Sequence, residues 1–421
     1  MFAYFLFFFY LVSGTIFLHW MIRKKKIPFS IYHTVAIVFF KIAMGCLYGW
    51  IFLRFYGGDD TWGFFNDSKL ETGRLLHHPL RFLDDFMPSH YQNLNGNTGW
   101  DTLMLNFNQF ENTFMVKGLA VLNLLSGKNY YIDVLLFDFL TIAGPLLLFK
   151  LLVKDFPLRS GMHFLLIFFI PSVIFWCSGI RAEAIILLAM VVMIHSGQAY
   201  ALHPSLRHFA GILAGLLGLL LVRFQFLLVF LPAFAAYMFS VKSKRSTPVL
   251  FNRIFLVGTM IFIASLFLPP TYQLSRPIQA TQQKFFNLHG NTRYMLDSLE
   301  SGPLGFLKIL PQALVNSTLR PFPWEGKNLL QSVSAVEVLF LIAGILFFIL
   351  SPRRREQISH PVYWLFLYYG LSQLLLIGYT VPFPGAIVRY RSIAFLFVVL
   401  FLNAGNPLLQ QKLRYWIFKL H

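Results

Sequence analysis

Long apolar runs recur along most of the chain, each near the roughly 20 residues needed to cross the hydrocarbon core of a bilayer. They fall at about 2–22, 31–56, 130–153, 160–179, 183–200, 207–222, 225–240, 250–270, 332–351, 360–380 and 391–406. The pattern predicts an all-α, polytopic transmembrane bundle of about 11 spans, with residues 1–421 forming one transmembrane domain. Two long runs are interrupted. The run 160–200 divides at Ser178-Gly-Ile-Arg-Ala-Glu183, and 207–240 divides at Arg223.

Two polar segments separate the runs. Residues 57–129 form a first loop that contains apolar turns at Pro79–Leu83 and Phe114–Leu122. These read as amphipathic helices on the membrane surface, joined through the turn-rich Asn93-Leu-Asn-Gly-Asn-Thr-Gly99. Residues 271–331 form a second loop, with Pro and Gly throughout and a basic stretch from Arg276 to Arg293. Neither is long enough for a soluble domain of ordinary size.

Composition agrees. The chain is 57% hydrophobic and 12% charged, where soluble domains carry about a quarter charged residues. A net charge of +18 in a soluble protein would point to nucleic acid. Here much of the excess lies in short loops, where it sets orientation and meets anionic lipid; membrane lipids, and no nucleic acid, are the expected partners. Arg23–Lys26, Lys154 with Arg159, Arg207, Lys242–Arg245, Arg353–Arg355 and Lys412–Lys419 fall on one side if the spans alternate. That side is predicted to be cytoplasmic, with the N-terminus outside and the C-terminus inside. Reading 207–240 as a single helix would put Arg353–Arg355 outside, so the charge rule favours two spans there. The first run precedes its basic residues, the reverse of a cleavable signal, and reads as a retained helix. Cys46 and Cys177 lie inside apolar runs, and no cysteine or histidine cluster has zinc spacing. No GxGxxG, P-loop, GxSxG or HExxH string occurs.

Topology then selects the residues able to carry chemistry, because ionisable groups near membrane depth are costly and usually functional. On the outer side these are Asp59, Asp60, Arg181, Glu183, Arg223, Arg320, Glu325, Arg389 and Arg391. Asp59 and Asp60 follow the second run in Phe55-Tyr-Gly-Gly-Asp-Asp-Thr-Trp62. A carboxylate there can take a proton from a hydroxyl or hold a divalent cation; the competing reading is a glycine turn with an aspartate helix cap. Arg181 and Glu183 occupy a break between spans and can pair with each other, and Arg223 lies in a tight apolar turn from which it can reach lipid phosphate. In Arg320-Pro-Phe-Pro-Trp-Glu325, two prolines extend the backbone and Trp324 is suited to the interface or to stacking on a sugar. Arg389 and Arg391 precede the last run, on the side where positive charge is disfavoured, and arginine grips phosphate through two donors. The expectation is one site, in which acids take a proton and arginines hold a phosphate.

The acidic pair at Gly58-Asp59-Asp60 in the first large outer loop, the surface helices of that loop and the many spans resemble the GT-C superfamily of membrane glycosyltransferases. The resemblance implies transfer of a sugar from a polyprenyl-phosphate donor to a glycan or lipid acceptor outside the cytoplasm, with Asp59 or Asp60 as base or metal ligand. The strings Ser178–Glu183, Arg320–Glu325 and Gly385–Arg391 look like those of bacterial membrane proteins of surface-polysaccharide assembly, which implies the bacterial inner membrane. The chain departs from the family pattern in placing the acidic pair after the second span rather than the first. Two other classes remain. A polysaccharide polymerase or ligase needs the arginines but not the acids. A transporter needs polar groups at mid-membrane, where Lys41 and Glu337 are the main candidates.

Overall fold

The computed structural model describes residues 1–84, 100–243, 246–290, 292–326, 329–350 and 360–404, with Ile417, and side chains for all of these but residues 84, 100–109 and 158. The expected loop at Asn93–Gly99 and the cations at Lys244, Arg245, Arg353–Arg355 and Lys412–Lys419 lie outside the described residues. The regular elements among the described residues are all helical. In chain order they are α1 (Phe2–Lys24), α2 (Ile31–Tyr56), α3 (Asp60–His77), α4 (Pro79–Asp84), α5 (Trp100–Ser126), α6 (Tyr130–Thr141), α7 (Ala143–Asp155), α8 (Ser160–Phe169) and α9 (Pro171–Trp176). There follow α10 (Ala182–Leu202), α11 (Leu206–Val222), α12 (Phe224–Lys242), α13 (Thr247–Ser265), α14 (Arg276–Phe286), α15 (Pro303–Leu314), α16 (Leu329–Leu350), α17 (Pro361–Thr380) and α18 (Pro384–Asn403).

Nine helices among the described residues are long and apolar enough to cross a membrane, α6 and α7 counting as one continuous segment. Two further apolar runs form shorter helices, α8 and α11. The run expected at 160–179 is broken, because Pro171 cannot continue α8 and Ile170 is extended instead. The breaks at 178–183 and at Arg223 fall where the polar interruptions place them, and Arg181 and Arg223 both have non-helical backbone. The last helix starts earlier than its apolar run. Pro384 opens it, so Arg389 and Arg391 lie within its second turn instead of ahead of it.

The core centres on α10, which packs on α7, α11 and α12, and on the α17–α18 pair. Helices α1 and α13 bury little of themselves and present Phe5, Phe8, Phe9, Leu256 and Met260 outward. Such faces need lipid around them.

The described parts of the first polar segment, residues 57–84 and 100–129, are more ordered than their composition implies. Gly57 and Gly58, with φ of +72° and +115°, turn the chain out of α2 in a left-handed conformation that costs glycine little. Asp59 then caps α3 by accepting the amide of Thr61 at 3.1 Å. α3 packs against α5, and a buried polar ladder locks the two. Asn123 donates to Ser68 Oγ at 2.8 Å and to Thr72 Oγ1 at 3.1 Å, and Thr72 donates on to Ala120 O. Lys117 pairs with Glu71 at 3.2 Å beside this ladder.

Removing the ladder's hub leaves the hydroxyls of α3 without their incoming donor. Asn123→Ala is expected to lower stability by about 1–3 kcal/mol, read as a lower melting temperature in detergent. Leu70→Ala, at an exposed position of α3, should leave the melting temperature within error.

Candidate functional site

Four segments converge where α2 ends. The Gly57–Gly58 turn aims the start of α3 back over the bundle. The break after α9 delivers Arg181 and Glu183, the α11–α12 junction delivers Arg223, and the second turn of α18 delivers Arg389.

The charges alternate. Arg181 bridges Asp59 at 3.1 Å and Glu183 at 3.3 Å. Glu183 is also bridged by Arg389 at 2.6 Å, and Arg389 reaches Asp60 at 3.5 Å. Arg223 pairs with Glu111 of α5 at 2.8 Å. Six of the residues singled out in the sequence, Asp59, Asp60, Arg181, Glu183, Arg223 and Arg389, therefore belong to one cluster. Glu111 and Tyr48 join it without having been singled out. Tyr48 is an aromatic in an apolar span, so nothing in its local sequence marks it. Glu111 is an acid in the first polar segment, and its place there is the signal that made it eligible. Burial holds the Glu111 carboxyl above the ordinary glutamate range, against the opposing pull of Arg223.

The two aspartates differ sharply. Asp59 is 14% exposed and fully engaged: it accepts from Thr61 N, Thr61 Oγ1, Tyr48 OH and Arg181. It works as helix cap and arginine anchor together. Asp60 is 65% exposed, and its contact among the described residues is the 3.5 Å pair with Arg389. Tyr130 supports this corner by stacking on Trp62 with centroids 3.7 Å apart and by bonding Thr61 Oγ1 at 2.9 Å.

Arg181 is 1% exposed, with its guanidinium over the Tyr48 ring at 4.8 Å. Its Nη2 has no hydrogen-bond partner among the described residues. A buried, unsatisfied arginine N–H is costly, and an anionic oxygen would satisfy it.

Two cavities meet at the cluster. The larger, of about 930 Å³, is lined mainly by apolar side chains such as Phe40, Met44, Phe169, Phe175 and Val333. The smaller, of about 360 Å³, is polar, with Asp67, Glu111, Asn112, Arg181 and Arg223 in its wall. Asp60 and Arg389 belong to both walls.

The remaining expected site residues lie apart. Arg320 pairs with Glu325 at 2.9 Å and stacks on Tyr294. Trp324 is 80% exposed and stacks on Phe322, away from both cavities. Arg391 is buried and donates to Ser317 O at 3.0 Å, to Arg320 O and to Ser334 Oγ at 2.9 Å. It braces the Arg320 turn and the cavity wall at Ser334 without facing either cavity. Among the described residues, no three of His, Cys, Asp or Glu are grouped to hold a metal ion. Comparisons with protein-family models, curated proteins and solved structures return no match.

Among the described residues, Glu183 is the carboxylate shared by two arginines, and it is 2% exposed. Removing one partner from a buried pair typically costs about 3–5 kcal/mol, because the other charge stays desolvated. Glu183→Ala should lower the melting temperature steeply. Asp60→Asn, at an exposed position, should leave it unchanged.

Proposed function

We propose that this protein is a membrane glycosyltransferase of the bacterial inner membrane. It moves a sugar from a polyprenyl-phosphate donor to a glycan or lipid acceptor on the extracytoplasmic face, in a bundle of GT-C-like type. The observation that carries the reading is the position of Asp60 and Arg389 on the border shared by an apolar and a polar cavity. A lipid-linked sugar has that same division: an apolar chain, an anionic joint and a polar head.

In this reading the isoprenoid chain occupies the larger cavity and the phosphate rests against Arg389 and the unpartnered N–H of Arg181. The sugar lies in the polar cavity. The acceptor hydroxyl attacks the anomeric carbon as Asp60 takes its proton. The bond from that carbon to the phosphate oxygen breaks, and the phosphate leaves with the electron pair, stabilised by the arginines. Asp59 orients Arg181 and the start of α3, so the base role falls on Asp60 alone. The second reading, a polysaccharide polymerase or ligase, draws on the same unpartnered Arg181 N–H, which suits a lipid pyrophosphate equally well. It does not need Asp60.

Asp60→Asn and Arg389→Lys should each reduce transfer from a polyprenyl-phosphate sugar in proteoliposomes by on the order of 10²–10³, with insertion intact. Arg389→Lys keeps the charge and loses the two-donor fork. Full activity in both variants would remove the transferase reading. An active Asp60→Asn beside an inactive Arg389→Lys would favour the polymerase or ligase. The proposed orientation is read separately, by impermeant thiol labelling of a cysteine placed at Asp67, which should react only from outside.

A further inference from the structure

Three charged residues buried within the spans and outside the cluster, Glu337, Lys41 and Asp138, bind the backbone of the segment between α8 and α10. Glu337 of α16 accepts the amide of Ser172 at the start of α9, at 2.5 Å. Lys41 of α2 donates to Cys177 O and pairs with Asp138 of α6 at 3.1 Å. Asp138 in turn accepts the amide of Gly179 at 2.9 Å. Non-helical backbone at membrane depth survives only where protein groups satisfy it, and these charges satisfy Ser172 N at the start of α9 and Cys177 O and Gly179 N in the break after it.

The spacing on α2 is the telling feature. Lys41, Gly45 and Tyr48 lie four and three residues apart, on one helix face. Lys41 meets Cys177, Gly45 abuts Gly179 and Tyr48 meets Arg181. A methyl group at Gly45 would lie 2.7 Å from both Gly179 N and Asp138 Oδ2. Gly179 itself has φ of +73°, which favours glycine. From Lys41 to Tyr48 the helix rises about 10 Å, a span that the residues from Cys177 to Arg181 can follow. The loop is thus clamped rung by rung along α2, ending at the guanidinium that meets Asp59.

We propose that Lys41 and Asp138 are positioning residues for the Arg181 loop, acting on the reaction from deeper in the membrane without touching substrate. The effect on turnover rests on the transferase reading; the positioning itself does not. The ion pair by itself contributes little net stability, because buried ion pairs are often replaced by apolar residues without loss; what the two residues add is their hold on Cys177 O and Gly179 N. Their exposures are only 7% and 1%.

The test uses the full chain in nanodiscs, with hydrogen exchange of the 177–183 segment, melting temperature and transfer measured together. Lys41→Met combined with Asp138→Leu should lower the melting temperature, because two backbone groups at membrane depth lose their partners, and should speed exchange at Gly179 by about tenfold or more relative to the rest of the bundle, since its amide loses its acceptor. Transfer should fall by about 100-fold, as expected from displacing a positioned group. Lys41→Arg, which keeps both contacts, should restore wild-type exchange. If the double variant fails to fold, Gly45→Ala leaves both charges in place and should produce the same faster exchange by pushing the loop away. Unchanged exchange in the double variant, or in Gly45→Ala where the double variant is unfolded, overturns the proposal. If the wild type transfers no sugar, the transferase reading fails, and the exchange result still decides the clamp.

Discussion

The carboxylate of Glu183 is the constraint on which the site depends. It is buried, and it binds Arg181 from its own loop and Arg389 from the last helix. Neither arginine would be stable at that depth alone, since each needs a nearby negative charge to offset desolvation. Shared between them, one carboxylate ties the middle of the chain to its end. Asp59 extends the arrangement to the start of α3 by accepting from Arg181 and Tyr48. What remains exposed is Asp60, and among the described residues Nη2 of Arg181 has no hydrogen-bond acceptor. In the proposed reading, these two groups are the base and a donor to the phosphate.

The same logic explains why the helices around the site are broken rather than straight. A continuous helix from 160 to 200 would have put Arg181 on a helical surface, with its side chain fixed by helix geometry. Pro171 ends α8 and opens the short α9, and the chain then runs irregularly from Cys177 until α10 begins at Ala182. That freedom lets Arg181 reach across to α2 and α3. The irregular backbone is costly inside a membrane, and Lys41, Asp138 and Glu337 satisfy it.

Much of the fold could be read from the sequence, because hydrophobic run length is a local property. The apolar runs became helices, and the interruptions at Arg181 and Arg223 became breaks. The order of α3 was hidden because polar residues dominate it and its packing partner α5 lies further along the chain. The site was legible by half. Topology brought the outer charges to one membrane face, and six of them do meet. It could not say how helices are arranged laterally, so Arg320, Trp324, Glu325 and Arg391 were grouped with charges from which the structure separates them. Tyr48 illustrates the opposite failure. Its hydroxyl bonds both Asp59 and Arg181, yet in the sequence it is one aromatic among many in an apolar span.

The most direct test is to determine where a bound lipid phosphate rests. A cryo-EM structure in nanodiscs with a non-hydrolysable polyprenyl-phosphate sugar analogue would show it. The account predicts phosphate density within about 3 Å of the Arg181 and Arg389 guanidiniums, with the chain in the apolar cavity and Asp60 facing the sugar. Phosphate density at Arg320 or on the lipid-exposed surface, with the charged cluster unchanged, would contradict it.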